Sequence, residues 1–461
     1  MKAILVILIL LLATATTAQD RNSGHARKTL EIYKTIVEVD TSKHRDNTKK
    51  VAEYLAGELI AAGFPADDVE VVYRPPFGAL IARYRGALGS DKKPILILGH
   101  MDVVEANEDD WERPPFKLTQ DDEFFYARGS IDNKFGIAQV TSTFIRLKKE
   151  GFVPNRDLII AFSGDEESGM TTTRYLASRP DLQEAEFALN CDAGGGRLDA
   201  DGDPVTYGIQ AAEKTYATWN ITARNPGGHS SLPRKDNAIY DLADAIKRIE
   251  IHAFPVRWND MTRDYFRITG KRLGGELGDA MIRFADNPED KAAIDMLAEK
   301  PAYIGTTRTT CVVTMLSAGH AENALPQSAT ATVNCRIFPG VPASEIKSVL
   351  QRIVGNDELE FELLQDVTES PFSEMREDVT AAVTAAVYSR FEGLQIIPYM
   401  SSGGTDGMHF RRAGIPTFGV GGNFMQAKDV FAHGLNERAP IDSFYGALDH
   451  WSIILRELAG N

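Results

Sequence analysis

Cysteine is scarce, with Cys191, Cys311 and Cys335 the only three in 461 residues. Three cannot make the disulfide framework that staples small exported domains, and none has the CxxC spacing of a zinc knuckle. Each lies in an apolar, strand-like run (FALNC, TTCVVTML, TATVNCRIF) and reads as a small core residue, with one pair still free to form a bridge. Basic charge is also in deficit: 50 Lys and Arg stand against 65 Asp and Glu, a net charge of -15. That excludes the basic stripe a nucleic-acid partner needs, and the acidity serves solubility. HExxH is missing, which excludes a single-zinc protease of that type. G-x-S-x-G is missing too, and with it the serine-hydrolase elbow. No internal repeat or low-complexity tract interrupts the chain.

Long apolar runs are absent as well; none reaches the ~20 residues of a bilayer span. The N-terminus carries a shorter one. Lys2 precedes an apolar stretch from Ala3 to Ala13, followed by small residues from Thr14 to Ala18. A charge, an apolar segment and a small-residue exit are the pattern of a secretory signal peptide, expected over residues 1–18 with cleavage after Ala18, the alternative being after Ala15. The mature protein is expected to be secreted or periplasmic, without a membrane span.

The length calls for two domains. Asn47 to Ala62 has helical periodicity closed by Gly63, and Lys134 to Lys149 reads as a helix stopped by Gly151 and Pro154. Leu80–Tyr84, Ile95–Leu98, Leu158–Phe162 and Phe187–Asn190 read as strands. Continuous apolar strands between helices indicate a sheet covered on both faces, hence a doubly wound, mostly parallel α/β domain. From Tyr216 the order becomes strand, helix, strand, strand, helix, strand (Tyr216–Ala223, Ala238–Ile251, Cys311–Leu316, Ala329–Ile337, Ala343–Ile353, Leu359–Leu364). That is a ferredoxin-like α+β unit. It carries an insertion over Ala253 to Thr309 that includes a polar, glycine-containing segment, Ile268 to Gly278. The α/β pattern resumes after about Pro371, with Asp378–Tyr388 and Tyr445–Leu458 as helices and Pro416–Val420 as a strand. Residues 19–213 and 371–461 are thus expected to form one domain, with 214–370 inserted as a lid or dimerisation domain.

Ligands of open α/β sheets bind beyond the carboxyl ends of the strands. Three strand ends here finish in metal-type ligands: ILILG in His100 and Asp102, LIIAFSG in Asp165-Glu166-Glu167, and FALNC in Asp192. One such residue is usually a turn residue; three on one edge point to a metal centre. A hydrolytic dizinc site needs imidazole and carboxylate ligands plus a carboxylate bridging ions about 3.5–4 Å apart. Asp132 opens the helix at Lys134 and reads either as that bridge or as an N-cap. Because consecutive residues leaving a strand diverge, one of Glu166 and Glu167 is free to bind metal while the other faces water.

These motifs carry a resemblance. GHMDVV (99–104), RGSIDNK (128–134), GDEESG (164–169), CDAGG (191–195), PGGHSS (226–231) and AHGLNE (432–437) are similar to those of the M20 family of metallopeptidases, and the likeness covers essentially the whole mature chain. The resemblance implies two Zn2+, with Co2+ or Mn2+ as substitutes: one held by His100, Asp132 and Asp192, the other by Asp132, Glu167 and His433. It implies Glu166 as general base on a metal-bridging water, Asp102 as the carboxylate orienting His100, and His229 as a donor to the developing oxyanion from the partner subunit of a homodimer. It also implies a carboxylate-recognition set of Asn323, Arg336, Gly403, Gly404 and Thr405. Many relatives have Asp two residues before that arginine, where this chain has Asn334. His25, His44, His252, His320, His409 and His450 match no ligand position. The expected activity is hydrolysis of a peptide or amide bond in a small carboxylate-bearing substrate, of carboxypeptidase or dipeptidase type. The alternatives are an aminoacylase-type N-acyl amino acid hydrolase and, more remotely, an inactive peptide-binding protein on the same fold.

Overall fold

The computed structural model describes residues 20–45 and 47–460, so the predicted signal peptide lies outside the described residues. Fourteen strands matter to the site. In chain order they are β1 (Val69–Arg74), β2 (Phe77–Tyr84), β3 (Ile95–His100), β4 (Leu158–Ser163), β5 (Phe187–Asn190), β6 (Gly195–Leu198), β7 (Pro204–Glu213), β8 (Thr215–Arg224), β9 (Thr310–Ala318), β10 (Ser328–Ile337), β11 (Glu360–Leu363), β12 (Ile396–Ser401), β13 (Thr417–Gly419) and β14 (Phe424–Gln426). The large sheet runs β1-β2-β4-β3-β5-β13-β7-β6-β14, with β12 added beside β7. Its centre is parallel, β3 pairing with both β4 and β5 and β5 with β13.

Every residue of β3 and β4 is buried. Because side chains alternate across a strand, Ile95 and Ile97 join one core with Val51, Leu55, Ile137 and Phe144. Leu96 and Leu98 face the other way, with Leu176, Leu182 and Phe410. Both faces are covered, which is why these strands read as unbroken apolar runs. Each buried Leu or Ile contributes about 1.5–3 kcal/mol of transfer free energy. The helix Lys134–Lys149 lies against this sheet; Arg146, Lys148 and Lys149 in its last turn complement its dipole, and Gly151 at φ 72° leaves it in the left-handed region.

A four-stranded sheet, β9-β10-β8-β11, carries the helices Ala238–Ile251 and Ala343–Val354, in the strand-helix-strand-strand-helix-strand order expected. Cys311 and Cys335 face each other across β9 and β10 and form a disulfide, whereas Cys191 is a free, buried thiol.

The insertion, to which the sequence reading gave no elements beyond the polar segment Ile268 to Gly278, is helical. It folds into four helices, Asp260–Leu273, Gly275–Asp286, Lys291–Ala298 and Pro301–Thr307, around a core of its own built on Phe266, Met281, Phe284 and Leu297. Gly274 and Gly275, both at positive φ, make the sharp turn that interrupts the helical pattern. The last predicted helix is also shorter, His450–Ala459, because Ile441–Gly446 is a separate helix.

Between the sheets the chain passes without a loop: β7 ends at Glu213, Lys214 follows, and β8 begins at Thr215. Buried Glu213 accepts from the Thr405 backbone at 3.2 Å and pairs with Arg411 at 3.0 Å. Lys214 donates through Nζ to the Arg308 carbonyl at 2.9 Å, at the end of the insertion.

Candidate metal and catalytic centre

The pairing of the central strands decides which side chains meet. His100 is in register with Ser163, and Leu98 with Asn190, so residues leaving β3, β4 and β5 emerge at one sheet edge. There the His100 ring places Nε2 3.0 Å from Asp132 Oδ1 and 3.4 Å from Asp192 Oδ1. On the other side, His433 Nε2 lies 3.1 Å from Asp132 Oδ2 and 2.8 Å from Glu167 Oε1. Asp132 therefore presents one oxygen to each imidazole. Among the described residues, three groups bring ligand atoms within 4.8 Å of one another: His100, Asp132 and Asp192; Asp132, Glu167 and His433; and His100, Glu166 and Glu167.

Asp102 lies beneath this cluster. Its carboxylate accepts from the backbone N–H groups of Glu166 and Glu167, each at 3.0 Å, and faces His100 Nδ1 at 3.5 Å. It thereby ties the end of β3 to the turn after β4. Asp165, between strand and acidic pair, points away and caps the following helix through the N–H of Thr171 and Thr172.

The electrostatics follow from burial. Burial pushes the Glu166 carboxyl well above its usual range, with His100 opposing and Asp192, Asp406 and Glu167 adding to the rise. Asp192 is pushed up to about 7, again chiefly by burial. Hydrogen bonds to Asp132 and Glu167 raise His433 to about 10. Burial alone lowers His100, yet the carboxylates of Asp192, Asp102 and Asp132 outweigh it and hold that ring well above the usual value. No Lys or Arg among the described residues pairs with Asp132, Glu167 or Asp192. Carboxylates gathered this closely, with two imidazoles and no Lys or Arg among them, are stable when a metal cation takes the place of the imidazole protons. Imidazole nitrogens with carboxylate oxygens are the donor set of zinc or a similar divalent ion. Thiolate is no part of it, because Cys191 is buried on Asn133 Oδ1 at 3.3 Å and its thiol is pushed up by burial.

Other predicted residues fall elsewhere. His229 sits on an exposed two-strand ribbon, opposite Ala324, outside the cavity beside the cluster. Its Nδ1 accepts from the Ser231 N–H at 3.2 Å, which leaves the proton of a neutral ring on Nε2 as a free donor. Asn323 is beside the same ribbon, its carbonyl accepting from the Ser230 N–H at 3.0 Å. Arg336 stacks over Tyr216 and donates to the Ser402 carbonyl at 2.6 Å, while Asn334 turns to Thr218. Gly404 and Thr405 line the cavity, and the Gly403 N–H is held by Ser401. The structure thus assembles the metal-type residues within one chain and leaves His229 and Asn323 apart from them.

Sequence reasoning assigned no role to three supporting groups. Glu437, at the end of AHGLNE, is fully buried and accepts from Arg128 at 2.7 Å, Gly129 at 3.0 Å, Ile131 at 2.8 Å and Asp132 at 3.1 Å. Asn133 receives the His100 N–H at 3.4 Å. Asp406 accepts from Ser163 at 2.7 Å and from Thr173, behind the strand end. The motifs around Glu437 and Asn133 were usable signals; Asp406 had none beyond position.

The centre and its sheet define a metal-type hydrolase site on an α/β fold. Residues 96–457 match the model of peptidase family M20/M25/M40, and the chain belongs to that family. It is 26% identical to the N-fatty-acyl-amino acid synthase/hydrolase PM20D1 of Xenopus tropicalis, covering 95% of this chain and 88% of that protein. It is also 26% identical to the probable carboxypeptidase S-like 2 of Dictyostelium discoideum, with 82% and 74% covered. Among solved structures, the M20 family metallo-carboxypeptidase Sso-CP2 of Sulfolobus solfataricus superposes with a TM-score of 0.69 at 19% identity, covering 95% of this chain and 99% of that one. The di-peptidase Dug1p of Saccharomyces cerevisiae superposes at 0.64 and 17%, with 94% and 96% covered.

Proposed function

We propose that this chain is an exported dizinc hydrolase that cleaves the peptide or amide bond next to a free carboxylate, in the manner of a carboxypeptidase or dipeptidase. The observation that carries the reading is Asp132 shared between His100 and His433, with Glu166 and Glu167 alongside. His100, Asp132 and Asp192 would hold one ion; Asp132, Glu167 and His433 the other. Bound there, two divalent ions supply Lewis acidity and lower the pKa of water. The chain's own residues do the rest. Glu166 takes a proton from the attacking water and delivers it to the leaving nitrogen, and its burial suits a group that must hold that proton between steps. Asp102 keeps His100 and the two glutamates in place.

His229 donates from Nε2 to the developing oxyanion in a partner's site. Support for a homodimer is its position outside its own cavity, together with Val312, Met315 and Leu316 exposed along the edge strand β9. An apolar sheet edge left open is a template for pairing. Arg336 and the Gly403-Gly404-Thr405 loop hold the substrate carboxylate, and Asn323, on the ribbon beside His229, reaches it in the partner's site as His229 does. In this reading 19–213 and 371–461 form the catalytic unit, and 214–370 the lid and dimer contact. No helix among the described residues is long and apolar enough to cross a membrane; export rests on the leader-like pattern of residues 1–18.

A second reading, hydrolysis of N-acyl amino acids, is favoured by the names of the PM20D1 relatives and by the cavity beside the cluster. That cavity has a volume of about 830 Å³ and includes Ile397, Tyr399, Met400 and Met425 in its walls. The two reactions break the same bond and differ in the acyl group. A mass-spectrometric profile of metal-loaded protein on dipeptides and N-acyl amino acids tests both. Hydrolysis of neither set would overturn the hydrolase reading in favour of a binding protein.

A further inference from the structure

The far wall of the cavity is made by the insertion, and it is cationic. Tyr265, Thr269 and Arg272 recur at the spacing of one face of the helix Asp260–Leu273 and line the cavity together. Tyr303 and Thr306 of the helix Pro301–Thr307 extend that wall, and Arg197 faces it from β6. Burial pushes the Tyr265 phenol up, while the positive fields of both Arg197 and Arg272 reach it and oppose the rise. Both positive charges therefore act on one phenol although they belong to different layers of the fold. Neither forms an ion pair or side-chain hydrogen bond with a described residue. Both residues are exposed and line the cavity, so their charges are open to a ligand. Their planar forks, flanked by phenol and threonine hydroxyls, match a carboxylate.

We infer that Arg197 and Arg272, with Tyr265 and Tyr303, form a second carboxylate subsite that selects substrates whose acyl side ends in an acidic group, such as ω-carboxyacyl amino acids or peptides with an acidic residue before the scissile bond. This rests on the amide-hydrolase reading above. Arg336, at Ser402, serves the carboxylate of the released amino acid; the arginine pair is on other elements and addresses the opposite end of the substrate. The substrate would carry a negative charge at both ends, with the scissile amide between them at the metal-type cluster.

The test uses matched substrates. Zinc-loaded protein is given one amino acid acylated with glutaryl, adipyl or suberyl groups, each beside its methyl-terminated isostere. The expected result is a kcat/KM at least about tenfold higher for the diacid at one of these lengths, falling as salt is added. Arg197→Gln and Arg272→Gln should each shrink that ratio about tenfold, and the Arg197→Glu/Arg272→Glu double variant should turn the preference toward ω-aminoacyl substrates. A ratio at or below one at every length, or a ratio unmoved in the double variant, overturns the subsite. Calorimetry on zinc-loaded Glu166→Gln supplies a readout free of turnover: at one of the three lengths the diacid should bind at least about tenfold tighter than its isostere, and equal affinity at every length also overturns it. Wild type that binds the diacid selectively yet cleaves no acyl amino acid or peptide refutes the hydrolase reading while leaving the subsite standing.

Discussion

Glu437 and Arg128 form an ion pair at 2.7 Å with side chains 0% and 3% exposed, and the same carboxylate collects three backbone N–H groups of the segment that carries Asp132. The acceptor thus shapes the loop from inside. Removing one member of a buried pair leaves the other charge uncompensated, at a cost of about 3–5 kcal/mol. Glu437→Ala should lose stability of that order and most bound metal, and Glu437→Gln, which keeps an acceptor, should lose less of both. Thermal melts with metal analysis measure this; full metal occupancy in Glu437→Ala would show that the pair does not shape Asp132.

Glu166→Gln separates chemistry from binding. Turnover should fall about 10²–10⁴-fold or more, with bound metal nearly unchanged because the two metal-type groups built on Asp132 do not include Glu166. Substantial residual activity at full metal content would remove it as general base.

His100→Ala and His433→Ala should each lower metal content, since the two rings approach opposite oxygens of Asp132. Full occupancy in either variant would take that residue out of the cage.

Metal loading should release protons. Without a cation, His433 holds its proton up to about 10 through Asp132 and Glu167, and burial keeps Asp192 protonated up to about 7. His100 is held protonated above its usual value as well, by Asp192, Asp102 and Asp132. None of these protonated forms is a ligand, so affinity should rise with pH up to about 10 and fall more steeply below 7, where the Asp192 proton must leave too. Calorimetry at pH 6 in buffers of different ionisation enthalpy should register about three protons released when the whole dinuclear centre is loaded, one each from His433, His100 and Asp192. No release would contradict the ligand set.

His229 is best tested by mixing. Glu166→Gln and His229→Ala subunits, each inactive alone, should regain part of the activity when exchanged into mixed dimers. Exchanged subunits that stay inactive would rule out catalysis across the interface.

The large sheet was readable because Ile95–Leu98 and Leu158–Phe162 are apolar on both faces, a pattern a covered parallel strand requires. β7 and β12 escaped notice, since Gly208, Gln210 and Pro398 break their runs, yet they pair in parallel beside the site. The helices of the insertion were missed where Gly274-Gly275 interrupts the helical period. At the centre, His100, Asp102, Glu166, Glu167 and Asp192 could be found from strand ends alone. His433 could not: it reaches Asp132 from a loop at φ 64°, and no periodicity marks such a position. The role of Glu437 was hidden for another reason: what it does is visible only in the four donors the fold brings to it.

Glu213 and Lys214 are adjacent in the chain but grip different parts of the molecule, one the Thr405 loop and the other the end of the insertion. A rotation of the small sheet about this joint therefore cannot be absorbed locally. It pulls on the Thr405 loop and on the end of the insertion together, and Thr405, Tyr303 and Thr306 all line the cavity.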